Sequence, residues 1–109
     1  MISVTVYKNR NNEYTGFTCK GHAGYDDYGK DIVCACVSML VINTINSIEQ
    51  FTDCVFNVDS DEDSGYIKLE LKESITEQVG LLLDSMVLGI SNTEQQYGKT
   101  YVKLKIKEV

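Results

Sequence analysis

The apolar residues of this chain alternate between two spacings, every second position and every third or fourth, and the order of the switches restricts the folds open to it. Ile2, Val4 and Val6 alternate with Ser3, Thr5 and Tyr7, a polar turn over 9–12 follows, and 14–20 is again extended, which predicts an opening β-hairpin. From Ile32 the period lengthens. Val33, Val37, Leu40, Val41, Thr44 and Ile48 mark one face of a helix reaching to about Gln50, with Asp31 where an N-cap belongs. Alternation returns over 55–59 and 66–71, flanking a polar turn over 60–65, as a second hairpin. Ile75, Val79, Leu82, Leu83, Met86 and Ile90 then define a second amphipathic helix, expected to begin near Ser74 with Glu77 completing a capping box, and 101–106 closes the chain as a strand. The reading is an α+β fold, order ββαββαβ, with two helices packed on one mixed or antiparallel sheet.

At 109 residues the chain has room for one core, so 1–109 is read as a single domain. A net charge of −6 repels polyphosphate and attracts basic protein, so no direct nucleic-acid binding is expected. The longest apolar run, 32–42, stops at Asn43, short of the roughly 20 residues of a bilayer span, and the N-terminus has no signal-peptide pattern. Neither a membrane nor secretion is expected, which places the protein in the cytoplasm. Its four cysteines, Cys19, Cys34, Cys36 and Cys54, then sit in a reducing compartment as free thiols.

A nucleophilic cysteine attacks as its thiolate, so it needs a feature that lowers a pKa near 8.5. If Asp31 caps the helix, Cys34 is its third residue, in the turn whose N–H groups lack helical partners and whose dipole end is positive. The same turn offers oxyanion donors, contacts typically worth ~3 kcal/mol each. His22, the only histidine, stands at the end of the preceding strand and is the candidate general base. Asp31 fits two roles, orienting the imidazole or plainly capping the helix. On spacing alone, a turn histidine and a buried thiol are the favoured description.

The string Gly21-His22-Ala23-Gly24, followed by Tyr28-Gly29-Lys30-Asp31-Ile32-Val33-Cys34-Ala35 and by Ser38, resembles the ribosomal-processing cysteine protease family, Prp. There a Gly-His-Ala segment and an Asp-Ile-Val-Cys-Ala segment hold the catalytic pair. The resemblance extends over the whole chain. It implies His22 as base, Cys34 as nucleophile, and Gly21, Asp31 and Ser38 as supporting residues, with no cofactor and no metal. Cys36 departs from the small residue often found two positions after the nucleophile. The implied substrate is the large-subunit ribosomal protein numbered twenty-seven, made with an N-terminal extension and cut after an aromatic pair, and the implied assembly is a homodimer. A basic ribosomal precursor suits the acidic composition. The stretch Ala23, Gly24, Tyr25, Asp26, Asp27, Tyr28, Gly29 and Lys30 reads as a loop and would be the lid over a hydrophobic groove, with Gly24 and Gly29 as hinges.

Three rival readings use the same residues. Cys19, His22, Cys34 and Cys36 have zinc-like spacing, but residues two apart on a helix point about 200° from each other. Cys36 and Cys54, and Cys19 with them, are therefore read as small buried hydrophobes. Asp59, Asp61, Asp63 and Glu70 match a calcium loop, yet its sixth position is Ser64 and strands flank it. The non-enzymatic alternative is a dimeric, ribosome-associated binding module with an inert Cys34, its contact face built on Leu81 and Leu88.

Overall fold

A computed structural model of the chain describes residues 1–27 and 30–109. The alternating segments form strands β1 (Ile2–Lys8), β2 (Tyr14–Lys20), β3 (Phe56–Asp61), β4 (Tyr66–Leu71) and β5 (Val102–Glu108), and the long-period segments form helices α1 (Ile32–Phe51) and α2 (Glu77–Tyr97). The strands make one sheet in the order β3-β4-β2-β1-β5. All neighbours are antiparallel except β1 and β5, which run parallel, so the sheet is mixed. The expected order and architecture are observed.

Register decides which side is buried. Val4 stands opposite Cys19 and Val6 opposite Phe17, Leu69 follows Phe17 across to β4, and Val102 lies beside Ile2. These side chains share one core with Val33, Val37, Val41 and Ile48 of α1 and Val79, Leu83, Met86 and Ile90 of α2. Both helices therefore cover the same sheet face, each fully buried aliphatic residue contributing about 1.5–3 kcal/mol. Thr44, on the buried stripe of α1, donates its hydroxyl to the Leu40 carbonyl at 2.7 Å and so enters the core satisfied. The helices meet closely at Gly89, where a Cβ would come within 2.7 Å of Leu40 Cδ2.

Some boundaries differ from the sequence reading. α2 begins two residues later than expected, with Thr76 as N-cap accepting from the Val79 N–H at 3.4 Å and Glu77 as the first helical residue. Ile75 precedes the cap and its side chain lies beside Gly80 in the first turn, where an added Cβ would be 3.7 Å from Ile75 Cδ1. β3 continues to Asp61, so the turn is 62–65 rather than 60–65. Asp59 and Asp61 lie in β3 opposite Lys68 and Tyr66, and Glu70 pairs with Lys72 at 2.6 Å, an ordinary hairpin. α1, at 20 residues, is long and apolar enough to cross a membrane, longer than the run ending at Asn43 suggested, but one face of it is packed on the sheet.

Candidate functional site

The candidate residues gather where β2 hands over to α1. Asp31 caps α1: its Oδ1 accepts from the N–H groups of Val33 and Cys34, both at 3.0 Å. Its Oδ2 accepts from Tyr25 at 3.0 Å and Asp26 at 3.4 Å, which ties the preceding loop to the helix start. Burial opposes ionisation of this carboxyl, yet the backbone donors of Cys34, Tyr25 and Asp26 outweigh it and hold the group below the usual carboxylate value. None of these hydrogen bonds goes to His22, so the capping role is the one observed.

Cys34 is the third residue of α1 and half-buried. Its Sγ accepts the Ala23 N–H at 3.2 Å, so the residue following His22 touches the sulfur through its backbone. The expected depression of the thiol pKa is not observed. Burial pushes it up, the Asp31 carboxylate beside it pushes the same way, and the Ala23 N–H and the Met1 ammonium only partly oppose them. Burial is the largest cause, and the cap adds to it by placing a negative charge at the helix end expected to supply a positive one. The cap also engages the Val33 and Cys34 N–H groups, two of the donors expected to serve an oxyanion. Cys19, buried in β2, is pushed up to about 11 by burial and then by the neighbouring Cys34 charge.

His22 is exposed and turned toward the second hairpin, with Nε2 at 3.3 Å from the Asp63 carbonyl. No hydrogen bond joins its side chain to Cys34. Its own carbonyl accepts from the Met1 ammonium at 2.6 Å. Gly21, at φ +90°, donates its N–H to the Gly65 carbonyl at 3.1 Å, and a Cβ on it would lie 2.5 Å from the Met1 carbonyl oxygen. Ser38 lies one turn beyond Cys34, exposed and making no side-chain hydrogen bond among the described residues. Of the lid stretch, Ala23 is buried rather than mobile cover. Tyr25 packs edge-on against Tyr97 and Tyr101, at centroid distances of 5.6 and 5.1 Å. Gly24 adopts φ +71°, Asp26 accepts from the Asp27 N–H, and Lys30 donates its N–H to the Asp27 carbonyl. The expected places of Tyr28 and Gly29 lie outside the described residues.

Cys36 is exposed, against the expectation that it is buried, because helical rotation carries it away from the face that holds Cys34; Cys54 is half-buried. Among the described residues no cluster of three or more His, Cys, Asp or Glu side chains could hold a metal ion. Sequence reasoning missed the Ala23 N–H, the Asp63 carbonyl, and Tyr97 with Tyr101. The first two are backbone groups, which no residue identity advertises.

Two helices laid over one sheet, with a cysteine at a helix start and a histidine at a strand end, admit a cysteine peptidase, and comparison gives that class and the family. The family model described as "Cysteine protease Prp" matches residues 1–103. This chain belongs to that family. It is similar to the "Ribosomal processing cysteine protease Prp" of Staphylococcus aureus, 26% identical and covering 98% of this chain and 100% of the relative. The protein of the same name from Bacillus subtilis is 28% identical, over 89% and 90% of the two chains. Crystal structures agree: the S. aureus protease with a covalently linked product peptide superposes with a TM-score of 0.92 at 26% identity, covering 98% and 100% of the two chains. A protein of Streptococcus mutans does so with 0.85 at 37% identity, covering 100% and 96%.

Proposed function

We propose that this protein is an endopeptidase that removes the N-terminal extension of ribosomal protein twenty-seven of the large subunit, with Cys34 as nucleophile and His22 as general base. The observation that carries this is the contact between Cys34 Sγ and the backbone N–H that follows His22, which joins the two candidate residues in a chain of the Prp family. A relative from S. aureus has been crystallised with a substrate peptide. His22 takes the thiol proton, the sulfur attacks the scissile carbonyl carbon, and the electron pair moves to the carbonyl oxygen. His22 then returns the proton to the leaving amine, and water cleaves the thioester, releasing the carboxylate and restoring the thiol. Because α1 gives its first donors to Asp31, the Ala23 N–H is the donor placed to follow charge from sulfur to oxygen.

Acidic groups stand near the pair, Asp26 and Asp27 in the loop and Asp61, Glu62 and Asp63 at the hairpin turn that His22 touches, and they suit a basic ribosomal precursor. We assign the protein to the cytoplasm, where that precursor is made, and to a homodimer whose surface includes the exposed Leu81 and Leu88. Membership of a protease family displaces the alternative of a non-catalytic binding module. The test is mass-spectrometric detection of cleavage of a peptide spanning the extension, with Cys34→Ala and His22→Ala as controls. Cleavage after the aromatic pair that both substitutions abolish is expected; cleavage that survives Cys34→Ala overturns the assignment.

A further inference from the structure

We propose that the turn joining β3 to β4 is a positioning element of the catalytic site: the backbone carbonyl of Asp63, held in place by Gly65, fixes the tautomer and the orientation of His22. This rests on the reading of His22 as the base. A carbonyl oxygen can only accept, so the 3.3 Å contact with Nε2 requires the proton on that nitrogen. A neutral imidazole carries one N–H, which leaves Nδ1 with the lone pair and makes it the nitrogen able to take the Cys34 proton. When it does, the ring becomes a cation with its Nε2–H still aimed at the carbonyl, and a hydrogen bond from a charged donor is shorter and stronger than the resting one. The contact is therefore better in the ion pair than at rest, which is the direction that helps the reaction.

The turn is built to hold that carbonyl. Its Gly65 donates its N–H to the Glu62 carbonyl at 3.2 Å, and Asp63 donates its N–H to Asp61 Oδ1 at 3.1 Å, so the turn is braced from within. Outward, the Gly65 carbonyl accepts from Gly21, the residue before His22. Gly65 sits at φ +65° directly under the imidazole, where a Cβ would lie 3.0 Å from His22 Cε1 and 2.6 Å from the Gly21 carbonyl oxygen. A side chain there would push the ring off its seat. The orienting role, one of the two open to Asp31, thus falls to a main-chain group from a distant hairpin, since the hydrogen bonds of Asp31 go to backbone N–H groups of the loop and helix.

Because His22 is the only histidine, its ring nitrogens give one nitrogen-15 NMR spectrum without assignment ambiguity. In the unmodified protein above the imidazole pKa, Nε2 is expected to carry the proton and Nδ1 to be bare; an Nδ1-protonated ring overturns the proposal outright. Replacing residues 62–65 with a two-residue Asn-Gly turn closes the same hairpin without reaching His22. That variant is expected to keep its melting temperature near the parent's, to lower kcat by about tenfold or more and to leave KM within about twofold. Gly65→Ala is the second variant should the shortened turn not fold, with the same split expected. Full kcat in a folded variant whose imidazole has left its single tautomer overturns the proposal. His22→Ala separates the two levels: if it retains kcat the underlying base assignment is wrong, whereas if it alone abolishes kcat and the turn variants do not, only the positioning role fails.

Discussion

Both oxygens of the Asp31 carboxylate are occupied by backbone N–H groups, and this makes the residue a structural brace that works against the thiol it supports. Asparagine caps helices about as well as aspartate but carries no charge. Asp31→Asn is therefore expected to lower the Cys34 pKa, read as iodoacetamide alkylation reaching its plateau at lower pH than in the parent; an unchanged or higher midpoint would show that the carboxylate does not govern the sulfur. The sign for stability is separate. A carboxyl whose folded pKa lies below its unfolded value, near 3.9, contributes stability that is present above that value and lost as pH falls through the folded one. The substitution should flatten that acid limb of a melting-temperature profile and lower the neutral region, because Asn keeps one acceptor oxygen and turns its NH2 toward the Tyr25 and Asp26 N–H groups. At this scale the sequence showed where Cys34 stands, because an N-cap and a helical period are local facts. It did not show the thiol's environment, which depends on a carboxylate folded back against it and on an N–H of Ala23 eleven residues away.

Elements were legible in proportion to how local their signals are. β2 and the start of α1 lie where periodicity and a single cap candidate put them. At α2 two cap candidates stand two residues apart, and the capping-box pattern of Ser74 with Glu77 favoured the wrong one. What decides is Ile75, which must precede the cap to rest against the first turn, leaving Thr76 to receive the Val79 N–H. Thr76→Ala is thus expected to cost about 1 kcal/mol in chemical denaturation, and Ser74→Ala less than about 0.5 kcal/mol. Equal losses, or a larger one at Ser74, would move the helix start back. Farther along, Glu94 Oε2 accepts the Leu104 N–H at 2.7 Å and Tyr14 donates its hydroxyl to Asp84, so α2 is fastened to strands on both sides of its length. No sequence period encodes such cross-element bonds.

The strand order is a property of the whole molecule: β1 takes β5 as a parallel neighbour and β2 takes β4, pairings between segments far apart in sequence that local alternation leaves open. The order also sorts charge in a way the net value of −6 hides. The parallel neighbours β1 and β5 carry Lys8, Lys103, Lys105 and Lys107 with Glu108 as their single acid. Three of these lysines stand along the edge strand β5, where charge discourages pairing with another sheet. Near His22 the acids Asp26 and Asp27 stand on the loop and Asp61, Glu62 and Asp63 at the hairpin turn, with Lys20 and Lys30 among them. On the proposed reading a basic peptide is drawn to the site by those acids, and a field between exposed groups is screened by salt over about 8–10 Å. Raising ionic strength from roughly 0.05 to 0.5 M should accordingly raise KM for a basic extension peptide several-fold and leave kcat nearly unchanged, because chemistry at the half-buried sulfur is shielded from the added ions. Reversing charge at Asp26 and Asp27 together should remove part of that salt dependence. A KM flat across the range would mean that apolar contacts alone hold the substrate, and a kcat that moves with salt would place the screened charges in the chemical step itself.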